Sequence, residues 1–462
     1  MNLPQKLAQH RLMLDLHTGK LTRRTFFTRA LEIGLTASAA AMLFESCDTS
    51  TQSPKASNTP TSPTFLQWER EGDSNGSLEY LAKKFNKINS SNIQVHPTPG
   101  PSGTGANGKG SAMREDLLNK LRLHPESLDV LSLDVEWVSE FANKNLIVPL
   151  DDRWSKEEQK RYLNVPLEAV QINKTTWAAP LHTDAGVLYY RTDITSTPPT
   201  TWEELRDIAN AAMASKKTRW GYVWQGDQYE GLTCNFIEVL SSYGGAIFGA
   251  HNNVTVNSDV AVQALTEMVN WVGTISPPEI VTYEEGDATS KWLSGEAAFM
   301  RNWPNIAVQS NDARQSRIAG KFDIAPLPSG AKSCLGGWQL AINQHSKNKE
   351  AAWEFIKWML QYDAQQYLAV KEAFPVTLQQ VYQDPYVLQN NLLQNQPFFS
   401  KLQPILTNAQ FRPVSPDYQR IANAIELHVN QALRAPVEKT QYSPAKALQD
   451  LKKDLEQIVQ PG

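Results

Sequence analysis

Three observations predict an α/β chain folded as two lobes. Short apolar strands alternate with amphipathic helices from Thr64 onward, the alternation starts afresh at Gly186, and the chain from Glu350 onward is mostly helical in pattern. Alternation of this kind implies parallel strands joined by helices.

In the first stretch, Thr64–Trp68 reads as a strand. Ser77–Ile88 follows as a helix with Leu78, Leu81, Phe85 and Ile88 on one face. Ile93–Val95 is a second strand, Ala112–Leu123 a second helix and Asp129–Leu133 a third strand, which Asp134 and the helix Glu136–Asn143 follow directly. In the second stretch Gly186–Tyr190 is an apolar strand. Thr201 and Glu204 make a capping box for a helix with Trp202, Leu205, Ile208 and Ala212 inward. A helix over Ser258–Val272 carries Val262, Leu265, Val269 and Val272 at helical spacing, and Lys321–Pro326 and Trp338–Ile342 read as strands flanking a Gly-rich turn. The end is helical over Glu350–Leu360, Tyr418–Leu433 and Ser443–Val459, the last with Pro444 at its first position. Ile421, Ile425, Val429 and Leu433 form an i, i+4 stripe expected to be core. Two α/β sheets of this size make two lobes with a cleft between them. In open sheets ligands sit beyond the carboxyl ends of the strands, which is where Asp134 stands.

The first 64 residues carry an address. Arg23 and Arg24 stand in the string TRRTFFT, an Ala-rich apolar run follows over 30–44, then Cys47, then a tail rich in Thr, Ser and Pro. The order of charge, short apolar run and small-residue exit is that of an export signal, too short to span a bilayer. The paired arginines resemble the twin-arginine export signal. Cys47 resembles the acylation site of bacterial lipoproteins, although Glu45 departs from the small residue expected there; cleavage near Ala37-Ser38-Ala39 is the alternative. The expected division is an export signal over 1–46 and a flexible tether over 47–64, whose composition buries too little surface to order itself. Without residues 1–46 the chain keeps 38 basic and 45 acidic residues and shows no basic block, which argues against nucleic acid. Cys234 and Cys334 are expected to be free thiols.

Several motifs are decoys. GTGANGKG (103–110) nearly matches a phosphate-binding loop, but Gly110 stands where a Ser or Thr would hold Mg²⁺, so it reads as a surface loop. The eight histidines show no metal-ligand spacing, and no nucleophile elbow is present, so neither metal nor cofactor is expected. Tyr189 and Tyr190 cannot both reach one ion, since consecutive strand residues point to opposite faces; one core and one outward ring are expected.

Polar and aromatic residues concentrate in six turn-like segments: LDVEW (133–137), PLHTDAGVLYYR (180–191), WQGDQYEGL (224–232), RNWP (301–304), LGGWQLAI (335–342) and FRPVSPDY (411–418). In this order and spacing they resemble the solute-binding proteins of bacterial ABC sugar importers, and most of all trehalose/maltose-binding proteins. PPTTWEEL (198–205), GEAAF (295–299) and the 346–359 stretch strengthen the likeness, which runs from about residue 64 to 460. The resemblance implies a two-lobed, type II periplasmic-binding-protein fold with discontinuous α/β lobes, closing on a ligand by hinge bending. Lobe 1 would hold 65–181 plus 328–373, and lobe 2 would hold 182–327 plus 374–462. By position, Asp134 and Arg114 would come from lobe 1, Asp184 from the crossing, and Tyr229, Glu230 and Trp303 from lobe 2. Gly336, Gly337 and Trp338 would return from lobe 1, and Arg412 and Tyr418 from lobe 2. His182 stands where relatives tend to carry an aromatic. The early acidic contact of such proteins would fall within 69–76.

The chemistry suits that reading. Carboxylates such as Asp134 and Asp184 accept from vicinal hydroxyls, Arg114 and Arg412 donate and keep those carboxylates ionised, and Trp303, Trp338, Tyr229 and Tyr418 offer faces to a pyranose. The expected function is capture of a small α-linked sugar outside the cytoplasm and delivery to membrane permease subunits, without catalysis. The alternatives are an exported glycan-active enzyme, with Asp134 and Asp184 as its acid pair, and a binder of another small solute.

Overall fold

The computed structural model describes residues 62–73, 76–100, 110–389 and 398–459, together with Thr25. The export signal with Arg23 and Arg24, Cys47, nearly all of the tether and Gly103 of the glycine-rich loop lie outside the described residues. Among those described, no helix is long and apolar enough to cross a membrane.

In chain order the strands are β1 (Thr64–Arg70), β2 (Ile93–Pro99), β3 (Val130–Asp134), β4 (Gln171–Ile172), β5 (Thr175–Thr176), β6 (Ala179–Ala185), β7 (Val187–Arg191), β8 (Trp220–Val223), β9 (Ala297–Asn302), β10 (Phe322–Ala325) and β11 (Leu335–Ile342). The helices of seven residues or more are α1 (Ser77–Ile88), α2 (Gly110–Leu123), α3 (Trp137–Asn143), α4 (Trp202–Ala214), α5 (Glu230–Ser242), α6 (Asp259–Trp271), α7 (Glu285–Leu293), α8 (Lys349–Met359), α9 (Tyr362–Glu372), α10 (Phe398–Thr407), α11 (Tyr418–Glu438) and α12 (Pro444–Val459).

The strands form two main sheets. The first runs β2-β1-β3-β11-β6, with β1, β2 and β3 parallel and β11 antiparallel to both neighbours. The second runs β10-β7-β9-β8, antiparallel except for β8 with β9. The two strands expected to flank one Gly-rich turn are therefore not a hairpin: β10 and β11 belong to different sheets. The boundary expected between 181 and 182 falls inside β6, which pairs with β11 as far as Ala185. The chain changes sheet at Gly186, between β6 and β7. Only a glycine fits there, since a Cβ would lie 2.2 Å from Glu238 Oε1 and 2.6 Å from Arg301 Nη2.

The helices follow their apolar faces. α1 buries Leu78, Leu81 and Phe85 and leaves Ile88 exposed. Thr201 caps α4, its hydroxyl accepting from the Glu204 N–H at 3.1 Å, while the Glu204 carboxylate takes the Thr200 N–H at 2.7 Å rather than that of Thr201. Ile208 of α4 is only partly buried, and Ala209 takes the inward place. α6 is turned from the expected face: Ala261, Ala264, Leu265, Met268 and Trp271 point inward, and Val262 and Val269 only partly so. Trp271 claims the interior by packing against Trp202 at 5.0 Å and Tyr222 at 5.4 Å. Tyr189 and Tyr190 differ from expectation in that both are buried. Both faces of β7 are covered, so the ring aimed away from one layer meets the other.

On α11 the stripe Ile421, Ile425, Val429 and Leu433 is buried throughout. Shortening such a side chain removes transfer energy and leaves a cavity. Ile425→Ala is therefore expected to lower unfolding free energy by about 2–5 kcal/mol in urea denaturation. A loss below about 0.5 kcal/mol, the range of surface substitutions, would contradict its place in the core.

Candidate functional site

The strand register builds the floor. Across the first sheet Trp338 stands opposite Asp134 of β3 and His182 of β6, while Gly336 stands opposite Asp184 and Gly337 opposite Thr183. Directly paired residues project to one face, so Asp134, Trp338 and His182 form one row. Gly336 leaves room: a Cβ there would lie 3.1 Å from the Asp184 Cβ and 3.3 Å from the Trp303 ring. Gly337 has φ +116°, and a Cβ on it would lie 2.4 Å from the His182 carbonyl oxygen.

The opposite wall comes from helix starts and strand ends. Tyr229 is the residue before α5, Glu230 opens α5, Glu285 opens α7, and Trp303 follows β9. With the floor these line a cavity of about 200 Å³. Ten of the twelve expected residues line it: Asp134, His182, Asp184, Tyr229, Glu230, Trp303, Gly336, Gly337, Trp338 and Arg412. Tyr418 is not in the lining but donates its hydroxyl to Glu230 from behind. Arg114 is not there either. Its guanidinium makes a bidentate pair with Glu140 of α3 at 2.6 and 2.7 Å and a further contact with Glu115, so it joins two helices instead.

Arg412 is the cationic centre. Its Nη2 lies 3.1 Å from Asp134 Oδ1 and 2.7 Å from Glu136 Oε2, and its Nη1 lies 2.8 Å from Glu230 Oε1. Three carboxylates thus share one guanidinium. Burial pushes Glu136 well above the usual carboxylate range, against Arg412 and with help from Asp134; burial raises Glu230 likewise. Asp184 departs from expectation. It was expected to have an arginine partner that lowers its pKa, but its nearest charged neighbour is His182, 3.7 Å away. Burial therefore pushes its carboxyl up to about 7, with His182 opposing and Asp134 adding to the rise. For His182 burial works to lower the pKa, but Glu71 and Asp184 override it and the net shift is upward. Its ring stacks on Phe374 at 4.0 Å and 10°.

Sequence reasoning missed several contributors. Glu136 and Trp137 were inside a singled-out segment without being assigned, and Trp137 packs edge-on against Trp338 at 5.5 Å. Glu285, Gln228, Asn305 and Phe374 also line the cavity, and Arg301 lies under Trp303 at 4.2 Å from the ring centre. Arg301 is the first residue of the RNWP segment; nothing in the local sequence marks Glu285.

Two mixed sheets linked by repeated crossings, with a cleft lined by aromatic rings, carboxylates and one arginine, define the two-lobed, type II class of binding protein. The family model for bacterial extracellular solute-binding proteins matches residues 71–366, and the chain belongs to that family. It is 34% identical over 348 residues to a probable ABC transporter-binding protein of Deinococcus radiodurans, covering 72% of this chain and 80% of the relative. The fold is similar to that of maltose-bound MalE3 from T. maritima, with a TM-score of 0.77 and 32% identity over 86% of this chain and all of the other. It is also similar to a solute-binding protein of Agrobacterium radiobacter K84 in complex with ribitol, at a TM-score of 0.73 and 23% identity over 87% of this chain and all of the other.

The buried Asp184 has a pH consequence. With a folded pKa near 7 and an ordinary value of 3.8, the folded state binds more protons than the unfolded state between those values. Stability from this group therefore falls as pH rises from about 4 to 7 and levels off above. Asp184→Asn removes that dependence, so in ligand-free melting curves the variant should gain on wild type steadily from pH 4 to pH 7.5. A gap between the two that does not change with pH would refute the assignment.

Proposed function

We propose that this chain is the solute-binding component of an ABC importer and takes a small α-linked sugar of the trehalose or maltose kind between its two sheets. The single observation that carries the reading is the make-up of the cavity. Trp303, Trp338 and Tyr229 offer flat apolar faces, while Asp134, Asp184, Glu230 and Arg412 offer acceptors and donors around them. A pyranose has both surfaces, an apolar C–H face and an equatorial rim of hydroxyls, and needs both to leave water. The maltose held by the T. maritima protein supports the choice, and the ribitol held by the A. radiobacter protein marks the polyol alternative. In this reading each sheet with its helices is one lobe, and the Gly186 crossing lies at the hinge. Arg23 and Arg24 direct export and Cys47 carries a lipid anchor that keeps the protein beside its permease.

A thermal-shift panel of trehalose, maltose, sucrose, ribitol and a polyamine tests the ligand class. A true ligand at about 100 times its Kd adds about 2.7 kcal/mol of stability, so one sugar should stand clear of the rest. Trp338→Ala should then weaken its binding by about 1–3 kcal/mol in calorimetric titration, the value of burying one large apolar side chain. Stabilisation by the polyamine alone would overturn the sugar reading.

One observation favours a second reading. A carboxyl held near pH 7, as Asp184 is, is what a glycosidase requires of its general acid. Sugar incubated with stoichiometric protein should come back unchanged; products accumulating with protein and time would establish catalysis. The anchor is tested separately. Cys47→Ala should move the protein from the membrane to the soluble fraction with its sugar affinity intact, and a wild type already wholly soluble would remove the lipid from the proposal.

A further inference from the structure

Two of the cavity's aromatic rings come from distant parts of the chain yet hang on one carboxylate. The Tyr229 hydroxyl donates to Glu285 Oε2 at 2.7 Å, and the Trp303 indole N–H donates to Glu285 Oε1 at 3.1 Å. Glu285 is itself held. Asn302 Nδ2 donates to its backbone carbonyl at 3.4 Å and to Thr289 Oγ1 at 3.1 Å, and a capping box between Glu284 and Asp287 fixes the start of α7.

The rings have little freedom beyond that contact. The Arg301 guanidinium sits 4.2 Å from the centre of the Trp303 ring, and the ring edge comes within 3.3 Å of where a Gly336 Cβ would stand. The Trp303 carbonyl accepts from the Tyr189 hydroxyl at 2.7 Å. Tyr229 folds back over the first turn of α5, and a Cβ on Gly231 would lie 2.3 Å from its hydroxyl oxygen. A glycine at 231 is thus what lets the hydroxyl reach Glu285.

We propose that Glu285 is the positioning residue for specificity: one carboxylate holding both rings fixes the angle between two stacking faces before a ligand arrives. Ordering these side chains in advance removes an entropy cost from binding. The cleft consequently favours a rigid ring over an open chain of similar hydroxyl content. The choice of sugar as ligand rests on the proposed function above, whereas the ring geometry stands without it.

The experiment compares Glu285→Ala with Glu285→Gln, the latter keeping an acceptor for the indole and a polar partner for the tyrosine. Protein labelled with indole-¹⁵N tryptophan reports the Trp303 N–H directly, its resonance assigned through Trp303→Phe. In ligand-free Glu285→Ala this resonance should shift or broaden while the melting temperature stays within a few degrees of wild type. Titrations with maltose and with maltitol, which opens one of its two rings, read specificity. Glu285→Ala should lose about tenfold in maltose affinity, a change of about 1.4 kcal/mol, and narrow the maltose-to-maltitol ratio, while Glu285→Gln stays near wild type in both. An unmoved resonance overturns the proposal. So does an unchanged ratio in a protein that binds maltose, or an equal loss of stability and affinity in both variants. If wild type binds neither probe, the sugar reading is decided by the thermal-shift panel on its own, and the resonance alone decides whether Glu285 positions the rings.

Discussion

Everything around the cavity depends on the buried pair of Arg301 and Glu238. The guanidinium meets the carboxylate through two parallel bonds, at 2.6 and 2.8 Å, with both side chains almost wholly buried. Burying an ion pair costs several kcal/mol per ion in desolvation, and only good geometry with further hydrogen bonds offsets it. Here the further bonds are present: Glu238 Oε1 accepts the Cys334 N–H at 2.9 Å, and Arg301 Nη1 donates to Gln225 Oε1 at 3.2 Å. The same pair closes on Gly186, so it touches the chain at both places where it passes between the sheets, once leaving β6 and once entering β11. It also carries Trp303 on the guanidinium face. A single electrostatic unit thus holds the crossings and one wall of the site in a fixed relation.

That arrangement explains which parts were legible in the sequence. α1 and the α11 stripe announce themselves because each is half buried, and half burial leaves a period of 3.6. α5 does not: every residue from Gly231 to Leu240 is buried, so no polar face marks its period. β6 is hidden for a related reason, since its sequence APLHTDA is buried nearly throughout and holds a proline, a histidine and an aspartate at once. Sequence patterning reports contrast between faces, and the elements nearest the cavity have little. In α6 contrast exists but misleads, because Ala and Met take the inward places and two valines sit at its margin.

Site residues divide along the same line. Asp134 was legible because an acid closing a strand of an open sheet stands where a ligand would sit, whereas Gly336 and Gly337 were placed by the resemblance to sugar-binding proteins rather than by any local signal. Glu285 lies among several acids in a stretch that looks like any solvated helix start, and only the three-dimensional path shows that two aromatic donors converge on it. Arg114 shows the reverse error. It is a charge at a plausible position, but Glu140 lies across on α3 and takes it.

The cavity itself is electrostatically uneven, and that bears on where binding energy comes from. At the Arg412 end both terminal nitrogens of the guanidinium are engaged, by Asp134, Glu136, Glu230 and the Leu335 carbonyl, while Nε has no protein partner, so a solute shares those acceptors with the arginine. At the His182 end the polar atoms are held just out of reach of one another. His182 lies 3.6 Å from Glu71 and 3.7 Å from Asp184, ion-pair rather than hydrogen-bond distances, and both ring nitrogens, both Glu71 carboxylate oxygens and Asp184 Oδ1 take no hydrogen bond from another protein group. A solute that supplies donors to Asp184 therefore meets an acceptor that no protein group occupies, whereas at the other end it competes with a bound guanidinium.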